Sequence, residues 1–154
     1  MKKVFSLLFI VITTASVFLP RFNANAAQIQ NESIEYFADG SYGVTILSPA
    51  TVEQTKGSVT KTKAYQYYDN NNVLQWTVKL TASFTYNGVT ATCVSATVGH
   101  TITQSAWQIT KADASYSGST ATGDFTVKKY FAGIPIKTVN KTLTLTCTPG
   151  GTVY

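Results

Sequence analysis

The chain has 154 residues, a formal net charge of +5 and two cysteines, with charged and aromatic residues at 12% each. Three of its twelve basic residues, Lys2, Lys3 and Arg21, precede a signal-peptide cleavage site, so nine lysines face seven acids beyond it, an excess of about +2. That balance sets aside both a nucleic-acid partner and attraction to an anionic membrane, which need a basic patch or a much larger excess, and a chain so rich in aromatics and poor in charge is not disordered.

Residues 1–26 read as a secretory signal peptide. Lys2 and Lys3 supply the positive start, Val4 to Phe18 the apolar stretch, and Ala24-Asn25-Ala26 the small-x-small cleavage site. No second stretch of membrane-spanning length follows. The absence of a cysteine after the cleavage site and of a hydrophobic tail near Tyr154 predicts a freely secreted, extracellular protein without a lipid anchor. The 128 residues that remain suit one domain.

Composition then selects the fold class. Residues 27–154 hold 23 threonines beside many Val, Tyr and Ser, a set that fits a pleated, half-buried surface. Residues 27–57 carry Glu32, Glu35, Asp39 and Glu53, and Ile34–Phe37 can pair with Tyr42–Leu47 around Ala38-Asp39-Gly40-Ser41. This stretch reads as an acidic hairpin or a removable leader.

The main domain spans residues 58–154. Ser58 to Tyr68 is strand-like and ends in the polar turn Asp69-Asn70-Asn71-Asn72. From Leu74 to Tyr86 every second residue is apolar, which specifies a half-buried antiparallel strand. Asn87-Gly88 follows, the favoured pair for a two-residue hairpin turn. That turn sets Tyr86 against Val89, Phe84 against Ala91 and Ala82 against Cys93. Strands are also expected over 101–109, 112–116, 120–131 and 137–146, with Ala132 to Pro135 as a loop. About seven strands at this spacing predict an all-β antiparallel sandwich, Ig-like or related.

Cys93 and Cys147 both fall on inward faces. In an exported chain the pair reads as a disulfide closing a loop of about 54 residues and contributing roughly 4 kcal/mol. Two buried free thiols are the alternative. Nothing in sequence activates either sulfur.

Catalytic signals are missing. His100 is the sole histidine and reads as a turn residue; metal ligands do not cluster, and no cofactor motif is present. Asp69, Asp113 and Asp124 each fall near a turn rather than as a pair facing a cleft. The most ligand-like stretch is Tyr65, Tyr67 and Tyr68 followed by Asn70 and Asn71, since aromatic rings with nearby amides stack on and hydrogen-bond sugars. The same residues also read structurally, with Tyr65 and Tyr67 in the core and Tyr68 packing at the strand end. Recurrent threonines, as at 142, 144 and 146, fit ordinary outward strand positions.

Asp39-Gly40-Ser41-Tyr42, Gln75-Trp76-Thr77-Val78, Phe84 to Gly88, Lys128-Lys129-Tyr130 and Thr138 to Cys147 resemble a group of small secreted two-cysteine β-proteins of Firmicutes. The resemblance spans nearly the whole chain and implies secretion from a Gram-positive bacterium, without carrying over any functional residue. The expectation is a non-catalytic binding module acting on a cell-wall glycan or surface protein. A secreted effector, such as a bacteriocin-like or inhibitor protein, is the alternative.

Overall fold

The computed structural model describes residues 30–49 and 57–154, with side chains from Ser33 onward. The signal peptide expected over 1–26 lies outside the described residues, as does Glu53.

Eight antiparallel strands make two sheets. Five form the larger one in sequence order: β1 (Gln30–Tyr36), β2 (Tyr42–Leu47), β3 (Ser58–Tyr68), β4 (Leu74–Tyr86) and β5 (Ala91–Ile102). The smaller holds β6 (Trp107–Ser117), β7 (Thr120–Phe131) and β8 (Ile134–Thr146). Strands follow one another as hairpins, and the chain changes sheet between β5 and β6, so the sandwich lacks the Greek-key crossover of an immunoglobulin domain. The acidic hairpin β1–β2 is continuous with this sheet: β2 pairs with β3 from Tyr42↔Tyr68 to Leu47↔Lys63, and Leu47 joins the core.

The alternation read from Leu74 to Tyr86 becomes β4, whose Trp76, Val78, Leu80, Ala82 and Phe84 are all buried against Ala121, Phe125, Val127, Leu143 and Leu145 of the second sheet. Aromatic rings fill one end of this core. Tyr67 stacks on Trp76 with centroids 4.9 Å apart, and Trp107 meets both rings edge-on at 5.3 and 6.0 Å. Pairs of this kind add about 0.5–1.5 kcal/mol each beyond their buried area. Outward threonines bond across strands, Thr60 to Ser83 and Thr62 to Thr81, each at 2.8 Å.

Three local expectations are corrected. Tyr86 pairs with Ala91 and Phe84 with Cys93, a register two residues on from the expected one, because Asn87 Oδ1 accepts both the Val89 and Thr90 N–H groups and widens the loop. That even shift keeps Ala91 and Cys93 on the core face, and a bulge between Ser83 and Phe84 then moves the pairing one residue further, so that Ala96 and Val98 turn toward the core. The β5–β6 boundary falls at Thr103–Ala106 rather than near residue 110; a bulge between Ile109 and Lys111 is what interrupts the alternation there. His100 therefore stands exposed within β5, opposite Val78, not in a turn. The expected loop 132–135 is a tight hairpin turn at Ala132 and Gly133 (φ 49° and 80°), so β8 starts at Ile134.

The two cysteines are buried free thiols, not a disulfide. They flank the β6–β7 turn, where Cys93 N–H donates to Gly118 O and Cys147 N–H to Ser119 O, and each sulfur donates to a carbonyl of its own segment, Ser95 O and Thr148 O, both at 3.3 Å. Their inward positions were read correctly. They serve as small apolar core groups, with burial pushing both thiols up from their ordinary pKa.

Candidate functional site

Three hairpin turns, β1–β2, β3–β4 and β7–β8, gather with the β5–β6 link at one end of the sandwich, and their local chemistry sets the geometry there. In the β1–β2 turn Asp39 Oδ1 accepts both the N–H (3.2 Å) and the hydroxyl (2.5 Å) of Ser41. In the β3–β4 turn Asp69 Oδ1 accepts the N–H groups of Asn71 and Val73, each at 2.9 Å. Gly40 (φ 79°) brings the two turns together: a Cβ there would lie 3.3 Å from the Cβ of Asn70. In the smaller sheet Lys129 stands opposite both Trp107 and Lys137.

Two hydrogen-bonded chains line the cleft so formed. Lys137 donates to Asp39 Oδ2, to Ser41 Oγ at 3.1 Å and to the Tyr67 hydroxyl, which in turn donates to Ser41 Oγ at 2.6 Å. The Lys137 ammonium also sits 5.3 Å from the Phe37 ring centroid. On the other side Trp107 Nε1 donates to Gln75 Oε1 at 3.0 Å, and Gln75 Nε2 donates to Asp69 Oδ2 at 2.9 Å. The cavity between them holds about 270 Å³ and is lined also by Asn70 and Lys129, a size near the lower end of small-molecule pockets.

Electrostatics separates the structural groups from the available ones. Hydrogen bonds from Lys137 and Ser41 hold Asp39 well below the usual carboxylate range. Burial works against the Lys137 charge, but its bonds to Asp39 and Tyr67 outweigh it and raise the ammonium above its ordinary value. A serine beside a lysine and a tyrosine matches the ingredients of an activated nucleophile, yet a lysine held cationic cannot take the serine's proton. Ser41 is buried besides. Asn70 and Lys129 differ from their neighbours: among the described residues neither side chain's polar group is spent on a hydrogen bond or carboxylate, and the Lys129 ammonium lies 5.9 Å from the Trp107 ring centroid. The cleft therefore presents an uncommitted cation and amide beside Trp107, a set suited to a small hydroxyl-rich or anionic group.

The residues singled out from sequence are dispersed. Tyr67 is 1% exposed, and its hydroxyl joins the Lys137–Ser41 chain that lines the cleft. Tyr65 is 0% exposed and lies elsewhere, its hydroxyl donating to Glu35 Oε2 at 3.3 Å beneath the Lys141 ammonium, which is 4.2 Å from its ring centroid. Tyr68 belongs to the outer face, where its ring stacks on Tyr42 at 5.0 Å and 8°. Asn70 lines the cleft, whereas Asn71 is exposed at the turn. Only Tyr67 and Asn70 of the five meet. Asp39, Ser41, Gln75, Trp107, Lys129 and Lys137 escaped sequence reading. The signal that could have found two of them is phase: Lys129 and Lys137 continue the inward rows of β7 and β8, where a charge needs a partner.

Among the described residues no three His, Cys, Asp or Glu side chains converge as metal ligands, and no helix is long and apolar enough to cross a membrane. No protein-family model matches the chain, and no curated protein matches it. Among solved structures it is similar to a hypothetical protein from Listeria monocytogenes EGD-e, a member of the Firmicutes, at 19% identity over 75% of this chain and 85% of that one, with a TM-score of 0.41.

Proposed function

We propose that the protein is an exported, non-catalytic binding module that takes a hydroxyl-rich or anionic terminus of a cell-wall glycan in the turn-end cleft. The observation that supports this most is that Asn70 and Lys129 line the cavity uncommitted while its other polar groups are mutually satisfied. A rigid, satisfied wall lowers the ordering cost of binding, so a few uncommitted groups suffice for recognition. Stacking by Tyr65, Tyr67 and Tyr68 as one platform drops out of the reading, because two of the three rings are in the core.

Retention of residues 27–154 on purified cell walls and on a glycan array tests the proposal. Retention that soluble glycan competes away, and that falls about tenfold or more in the Asn70→Ala, Lys129→Met double variant, supports it. Retention unchanged in that variant removes the cleft as the site. No retention, with growth inhibition of neighbouring cells by the pure domain, transfers the assignment to the effector class.

A further inference from the structure

Residues 131–136, Phe-Ala-Gly-Ile-Pro-Ile, are all exposed at the tip of the β7–β8 hairpin, with Phe131 at 74%, Ile134 at 65% and Ile136 at 57%. An unbroken apolar run facing water marks a contact surface. Its form is fixed: Phe131 pairs with Ile134 across a turn in which both Ala132 and Gly133 have left-handed backbone. Behind the tip stand Lys128 and Lys129, opposite Thr138 and Lys137. From Phe125 to Tyr154 the sequence holds four lysines and no Asp or Glu. Lys137 is tied to Asp39 and Lys141 to Glu35, but among the described residues no carboxylate pairs with Lys128 or Lys129.

We propose that this tip docks the protein on an anionic lipid surface, with Phe131, Ile134 and Ile136 entering the acyl boundary and Lys128 meeting headgroup phosphates. Charge complementarity selects this occupant, since an apolar wedge backed by Lys128, with no acid in its own stretch from Phe125 to Tyr154, matches a negative interface with a hydrocarbon layer beneath it. The Asp39 carboxylate at this end of the sandwich is held by Lys137. Shape agrees. A narrow two-stranded tip offers a folded partner little area, whereas a bilayer deforms around it. The net charge of the chain conceals the feature because the acids of β1 and the β1–β2 turn offset lysines elsewhere. The inference does not depend on the cleft reading, and neither Phe131 nor Lys128 lines the cleft.

Sedimentation of residues 27–154 with phosphatidylcholine vesicles, with and without phosphatidylglycerol, is the test. The expected result is salt-sensitive binding to the phosphatidylglycerol vesicles alone, weakened about tenfold or more by Phe131→Ser. Lys128→Gln should weaken it less and flatten the salt dependence. Because Phe131 is exposed, the variant keeps the native near-ultraviolet spectrum, and Phe131→Trp adds an emission that shifts blue and is quenched by brominated acyl chains. Absence of binding, equal binding by Phe131→Ser, or an unshifted Phe131→Trp emission overturns the proposal. A dimer abolished by Phe131→Ser overturns it too, assigning the tip to a second copy of the chain.

Discussion

Gly43 shows how a single hydrogen atom admits the aromatic core. It lies in β2 opposite Tyr67, and a Cβ on it would sit 1.8 Å from the Tyr65 hydroxyl oxygen and 2.0 Å from the ring carbon that bears it. The backbone needs no special angle there; the constraint is space alone. Gly43→Ala must therefore eject a ring that is fully buried, and chemical denaturation should record a loss of about 3 kcal/mol. The charged residues at this scale act through pH. Lys141 holds the Glu35 carboxyl down by a 2.7 Å bond, against the effect of burial, and Lys137 with Ser41 holds Asp39 down. A carboxyl whose folded pKa lies below its unfolded value near 4 stabilises the fold above that value and loses the contribution as pH falls through the folded pKa. Stability should therefore be level from neutrality to about pH 5 and decline below about pH 4. Both acids are half exposed, so the effect is modest, and Asp39→Asn with Glu35→Gln should flatten the decline in acid titrations followed by circular dichroism.

Among the elements, the β4–β5 hairpin shows what the sequence disclosed and what it withheld. Strict alternation over Leu74–Tyr86 made strand, face and core legible, because period two admits one reading. The register at the tip was not legible. Asn87-Gly88 predicts a two-residue turn from backbone preference, but Asn87 Oδ1 finds three donors, the N–H groups of Val89 and Thr90 and the Thr90 hydroxyl, and the loop opens around them. Asn87→Ala should cost about 1–2 kcal/mol in thermal or chemical unfolding, whereas Asn87→Asp, which keeps an acceptor there, should cost less. The same distinction explains the cleft. Tyr67 and Asn70 were within reach of a sequence argument because they are three positions apart. Lys137 meets Asp39 across 98 positions, and although its phase in β8 marks it as inward, its partner follows only from where the strands are placed in the two sheets.

For the whole molecule, the sequential topology does the gathering. With successive strands antiparallel neighbours within each sheet, alternate connections fall at the same end, and the β1–β2, β3–β4 and β7–β8 turns bring Asp39, Asp69, Asn70, Lys129 and Lys137 to one cleft. The core beneath, with Trp76, Tyr67 and Trp107 in mutual contact, fixes those turns to the sheets. The all-β sandwich was legible from composition and alternation, whereas the convergence of distant turns follows only from strand order. The central claim is that this cleft is the ligand site. It is tested most directly by amide chemical-shift mapping of residues 27–154 during titration with soluble cell-wall glycan fragments. The account predicts shifts centred on Asn70, Gln75 and Lys129, saturating together. Shifts confined to the outer-face ring pair Tyr42 and Tyr68, or no shifts at any glycan concentration, would contradict it.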